Sequence, residues 1–176
     1  TSAALALSTS GVALRRADAR LFLVSLAFLS AAGFLALHAL ATPGVLLDGP
    51  NQGFVAATPV GLLVAALFAA ASALPLPDSR ALAVIRHAQA LRAGLLALMA
   101  LWAALSLGGV PPLDDPTPVE RATAQLVIPA LAAVPLYCFA GIRYLSMALR
   151  SGSSILLAVA SACVLLAEAM VAVAFA

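Results

Sequence analysis

Four side chains in this sequence have the chemistry to form a site: His38, Asn51, Thr58 and Glu168. Imidazole accepts or donates a proton near neutral pH and is a good axial ligand for haem or for a metal ion. A carboxyl within an apolar run costs about 2.5 to 3.5 kcal/mol if ionised at mid-membrane, so Glu168 is expected to be protonated or paired. Each has a plainer alternative, in which the group hydrogen-bonds a neighbouring helix. His87 is the other histidine, and it belongs to an arginine-rich loop on the opposite side, so a bis-histidine haem site cannot be assembled from this segment.

The elements that must position these groups are membrane helices. The chain has 176 residues, of which 64% are hydrophobic and 9% charged, and its mean hydropathy is +1.12. A soluble domain carries about 25% charged residues, so this composition cannot solvate a globular surface. It predicts an all-α, polytopic transmembrane bundle in the lipid bilayer, with no nucleic-acid partner. Crossing about 30 Å of hydrocarbon takes about 20 apolar residues. Five stretches meet that length: 21–41, 53–74, 93–110, 126–148 and 154–176. Residues 1–14 read as the tail of a truncated sixth helix, and 1–176 as a single helical domain.

Punctuation supports these bounds. Pro43 and Gly44 follow the first span, Pro75 and Pro77 the second, and Pro111, Pro112, Pro116 and Pro118 the third. The run "SGSS" (151–154) offers serine caps to the last. Pro129 and Pro135 should kink the fourth span.

All nine basic residues are arginine, which excludes a lysine Schiff base and hence a retinal photoreceptor built from these helices alone. Eight of the nine fall in alternate loops (Arg15, Arg16, Arg20; Arg80, Arg86, Arg92; Arg143, Arg150), and only Arg121 falls on the other side, with Asp48, Asp114, Asp115 and Glu120. The positive-inside rule then places the segment before Leu21 on the cytoplasmic side of the membrane. Arg143 reads as an anchor at the inner end of the fourth span, beside Tyr144. The stretch 79–92 reads as an amphipathic segment on the inner leaflet or an extension of the third span. Asp114 and Asp115 read as solvated rather than cation-binding, and Cys138 and Cys163 as small buried hydrophobes.

At 1.5 Å per residue, His38 lies about 26 Å from the inner end of its span and Glu168 about 21 Å from the inner end of its own. They share a depth and meet if the first and fifth spans are neighbours. With Asn51, Gln52, Thr58 and Pro59 nearby in depth, they suggest a shallow polar pocket opening outward. Small-residue runs such as "SAAG" and "AALFAAASA" permit close helix packing and a homodimer.

Three runs, "AFLSAAGFLALHALATPGVL", "NQGFVAATPVGLLVAALFAAASAL" and "VLLAEAMVAVAFA", resemble the multi-spanning N-terminal region of bacterial adenylate/guanylate cyclase-domain proteins of the Ala- and Arg-rich actinobacterial kind. The resemblance implies an input module ahead of a cytoplasmic catalytic domain. In such proteins a Trp- and His-rich helix follows the last run, and it is absent here. The chain carries no cyclase residues, HExxH motif or Ser–His arrangement, so no catalysis is expected of it. It begins and ends inside apolar patterns, which implies a longer parent with seven spans and a cytoplasmic C-terminus. The expected function is a membrane sensor or regulatory module with a ligand, cofactor or proton pocket at His38 and Glu168. The alternatives are a haem- or pigment-binding subunit held through His38, and a small-solute or proton transporter.

Overall fold

A computed structural model describes residues 18–46, 48–111, 113 and 124–175. The expected helix at 1–14, the arginines Arg15, Arg16 and Arg121, and the Asp114–Asp115 pair lie outside the described residues. The described chain is all-α, with six helices in the order α1 (Ala19–Leu40), α2 (Gln52–Ala73), α3 (Asp78–Arg86), α4 (Ala88–Leu107), α5 (Ala124–Ser151) and α6 (Ser154–Phe175). All but α3 are long and apolar enough to cross a membrane. Each of these five coincides with an expected span, and α4 begins earlier because the helix runs back to Ala88.

Local chemistry fixes the ends. Asp18 caps α1 by accepting from the Leu21 amide at 2.9 Å, and Asn51 caps α2 by accepting from the Phe54 amide at 2.8 Å. After α5 the chain reverses over Gly152, whose positive φ of 65° suits a residue without Cβ, and the Ser153 hydroxyl accepts from the Leu156 amide to start α6. The amphipathic stretch 79–92 divides at His87 into the short α3 and the first turn of α4. Leu82 is exposed, whereas Val84, Ile85 and Leu91 pack on the core.

Two cores share α2. On one side α2 packs against α5, and α5 against α6, through an alanine-rich seam. The buried positions of α6 are Ala160, Cys163, Ala167, Met170 and Ala174, a strict 3-4-3-4 spacing. Those of α5 include Ala130, Ala133, Tyr137, Ala140 and Tyr144, with the same spacing. This is the heptad seam of left-handed helix pairs, and alanine at most positions brings the two backbones close. On the other side α1, α2 and α4 enclose Phe22, Leu26, Leu29, Phe34, Ala57, Leu95 and Met99. The small residues of "SAAG" and "AALFAAASA" serve these contacts within the chain: Ser30, Ala65, Ala66, Ala69, Ala70 and Ala73 are all buried.

Glycine marks the closest approach of α1 and α2. A Cβ at Gly61 would strike the Phe34 side chain, which is fully buried, whereas a Cβ at Gly94 on the lipid side of α4 meets open space. Gly61→Ala should therefore destabilise the bundle by about 1 to 3 kcal/mol through overpacking, while Gly94→Ala should stabilise it by about 0.5 to 1 kcal/mol through helix propensity. Reversible unfolding in bicelles measures both, and equal effects of the two substitutions would contradict this packing.

Candidate functional site

The polar groups divide between the two ends of α2. At the end where α1 stops and α2 begins, the α2 cap is also a crosslink. The Asn51 Nδ2 donates to the Ser106 carbonyl of α4 at 2.7 Å, and the Ser106 hydroxyl returns a bond to Asn51 Oδ1 at 3.3 Å. Both residues are buried. A Cβ at Gly53 would collide with Ser106, so glycine there is what lets α4 approach. The Trp102 indole donates to the Gly53 carbonyl at 3.2 Å and meets Phe34 edge-on, with ring centroids 5.6 Å apart.

His38 joins this network from α1. Its Nδ1 lies 2.9 Å from the Phe54 carbonyl, and its ring stacks on the Phe54 ring at 4.2 Å and 15°. A carbonyl only accepts, so Nδ1 carries a proton, and in the Nδ1–H tautomer the lone pair is on Nε2. No hydrogen bond to Nε2 occurs among the described residues, and the side chain is half-buried. An imidazole oriented through Nδ1–H to a carbonyl, with Nε2 open, is the arrangement seen in histidines that bind metals. No group of three or more His, Cys, Asp or Glu suited to a metal ion occurs among the described residues. The Thr42 hydroxyl closes the α1 C-terminus by donating to the His38 carbonyl at 3.1 Å.

Pro59 lies inside α2 near this end and has no N–H, so the Val55 carbonyl four residues earlier has no helical amide partner, next to the Gly53 and Phe54 carbonyls that accept from Trp102 and His38. Thr58, half-buried beside Pro59, takes no part in the network. Of the groups expected to line an outward pocket, Asn51 is bonded to Ser106 and the Phe54 amide and His38 to the Phe54 carbonyl, while Thr58 and Glu168 join neither.

Glu168 is not brought to His38. It is exposed on the face of α6 that adjoins α5, beside Val134, Cys138, Val164 and Val171. His38 is engaged with α2, and α6 packs chiefly on α5, so equal depth does not become contact. Cys138 is likewise exposed, contrary to the expectation for both cysteines, and Cys163 is buried as expected.

At the arginine end, two guanidinium groups meet the last carbonyls of α2. Arg20 Nε donates to the Ser72 carbonyl at 2.9 Å, and Arg143 Nε reaches the Ala73 carbonyl at 3.5 Å. Cations at a helix C-terminus are favoured by the helix dipole as well as by the unpaired carbonyls. Arg143 thus grips a helix end rather than only anchoring its own span. The Ser72 hydroxyl pairs with the Tyr144 hydroxyl at 2.7 Å and donates to the Ala69 carbonyl, and Arg20 Nη1 approaches the Met147 sulfur at 3.2 Å. Further in, Ser30 donates to the Gly61 carbonyl and Tyr137 to the Leu62 carbonyl, both at 2.9 Å. These partners escape a reading by composition, although a lone Trp, buried Tyr and in-span Ser are the residue types that carry such bonds. No family model, curated protein or solved structure matches the chain.

The network orders the expected costs. Asn51→Ala removes a cap and leaves Ser106 groups unpaired in a buried site, so it should cost about 2 kcal/mol. Glu168→Leu removes an exposed acid that no described residue bonds, so it should leave the bundle as stable or more stable. Thermal unfolding of the two variants in the same detergent tests the pair, and the reverse order would refute the assignment of partners.

Proposed function

We propose that this membrane protein is a sensory or regulatory module that takes its input at the Nε2 atom of His38. The single observation that carries this reading is the imidazole held by Nδ1–H to the Phe54 carbonyl, with Nε2 unbonded among the described residues. The input is a proton, a small ligand or a cofactor that bonds Nε2. Loading Nε2 strengthens or breaks the Nδ1 bond and shifts the first turns of α2 about Pro59. The C-terminal carbonyls of α2 are held by Arg20 and Arg143, so a movement of α2 reaches α1 and α5 at the arginine end. The positive-inside rule makes that end cytoplasmic, and the resemblance to the membrane regions of cyclase-domain proteins supplies an effector there, outside this chain. In this reading two copies pair along the α5–α6 side of the bundle, where the exposed Glu168 has no hydrogen bond among the described residues.

A second reading has one observation in its favour. The same oriented imidazole suits an axial haem or pigment ligand, with the chain as a non-catalytic subunit of a membrane complex. An absorbance spectrum separates the two: a Soret or chlorophyll band in the purified chain, lost in His38→Ala, establishes the second reading.

The sensory reading is tested by spin labels on cysteines replacing Leu82 and Leu149, with Cys138 and Cys163 changed to alanine, in nanodiscs. Both label positions are exposed, on α3 and near the end of α5. Taking the sample from about pH 8 to about pH 5, or adding haemin or Zn²⁺, should shift the interlabel distance with at least one probe, and His38→Gln should abolish that shift. Distances unmoved by all three probes, or shifts that persist in His38→Gln, overturn it.

A further inference from the structure

Away from the His38 network, α1 and α6 stand side by side without packing closely, and a groove runs between them. It consists of two adjoining cavities of about 220 and 460 Å³, with Val24, Phe28, Tyr144, Val159 and Ala162 common to both. Apart from Ser25, Ser72, Tyr137 and Tyr144 the walls are apolar, and the arginine end of the groove is bounded by Asp18 and Arg20.

The length of the groove is informative. On α1 it extends from Leu21 to Ala31, and on α6 from Ile155 to Leu166. At 1.5 Å per residue these are about 15 and 17 Å, which is half of a hydrocarbon core of about 30 Å. That length matches the reach of one leaflet, and the Asp18–Arg20 end lies at the first turn of α1, where a membrane-crossing helix meets the headgroup region. A transmembrane helix of a second copy would instead demand a groove running the full thickness.

The mouth carries both signs of charge. Arg20 uses Nε on the Ser72 carbonyl and Nη1 on the Met147 sulfur, and its Nη2, with two N–H donors, has no hydrogen bond among the described residues. Asp18 uses Oδ1 on the Leu21 amide, which leaves Oδ2 as an acceptor. No ion pair joins either residue to another described one. A phosphate complements the free guanidinium edge, and a primary ammonium complements the free carboxylate oxygen. A quaternary ammonium has no N–H to give Asp18, and a purely anionic headgroup meets a carboxylate it must avoid.

We propose that this groove is a binding site for a phospholipid of the phosphoethanolamine class, with one acyl chain between α1 and α6, the phosphate on Arg20 and the ammonium on Asp18. The site is independent of the input at His38, which lies at the other end of the bundle. Lipid in the groove supplies the packing that α1 and α6 do not give each other.

Native mass spectrometry of the detergent-purified chain, titrated with ethanolamine, choline and glycerol phospholipids of identical acyl chains, tests the site. One ethanolamine lipid should bind about tenfold more tightly than either of the others, the worth of a charge-assisted hydrogen bond. Asp18→Asn keeps the helix cap, since asparagine caps as well as aspartate, and should abolish the preference while leaving binding itself. Ala162→Phe fills the groove and should remove the adduct for all three lipids. Equal binding of the three lipids by the unaltered chain overturns the proposal, as does a preference that survives Asp18→Asn. So does an adduct indifferent to Ala162→Phe, or a dimer mass without lipid that Ala162→Phe converts to monomer, because a second copy would then be the occupant.

Discussion

The backbone of a membrane helix has no water to turn to, so a carbonyl weakened or freed in the hydrocarbon must find a donor inside the protein. In this chain α2 shows that constraint in its last turn, at Ser72 and Ala73, and it takes side-chain donors along the rest of its length as well. Six of its carbonyls, those of Gly53, Phe54, Gly61, Leu62, Ser72 and Ala73, accept from side chains of other helices. Three donors come from α1 (His38, Ser30, Arg20), two from α5 (Tyr137, Arg143) and one from α4 (Trp102). Side-chain hydrogen bonds between membrane helices average about 0.6 kcal/mol, so six would contribute about 4 kcal/mol if they add. Their geometric effect is larger than that sum suggests, because each fixes the register of a neighbouring helix against one common spine.

The contrast with α6 follows. Among the described residues α6 makes no side-chain hydrogen bond to another helix and is held by its alanine heptad seam against α5. Close packing of small residues provides dispersion contacts but no directional bond, and α6 leaves much of its circumference to the bilayer. The groove toward α1 and the exposed Glu168 both belong to that helix. The bundle therefore combines a bonded part, α1–α2–α4–α5, with a helix that only packs.

Much of this was legible in the residue string, and the rest was hidden for definable reasons. The five spans could be placed because a bilayer imposes a length, and the serine cap at Ser153 could be placed because helix starts impose side-chain types, whereas Asn51 reads from the sequence as a pocket group and is a cap in the structure. Facing could not be read in the same way. Helix α6 is apolar on nearly every side, so periodicity carries no signal about which face meets protein, and the exposed position of Glu168 cannot be read from it. Depth arithmetic gave His38 and Glu168 a common level, but neighbour relations between helices are a matter of topology that depth does not contain. The partners of α2 were obscured because the acceptors are backbone carbonyls, which every residue possesses. Only the donors (Trp102, Tyr137, Ser30, Arg20) differ in type, and nothing in their spacing names their target.

The spine account is tested most directly by amide hydrogen exchange of the chain in nanodiscs, residue by residue along α2. Terminal turns of a helix ordinarily fray, and the first turns of this one are further weakened by Pro59. If side chains of α1, α4 and α5 bind its carbonyls, the amides at both ends of α2 exchange as slowly as those at its centre, and markedly more slowly than the ends of α6. Ends of α2 that exchange as fast as the ends of α6 would contradict the claim that this helix organises the bundle.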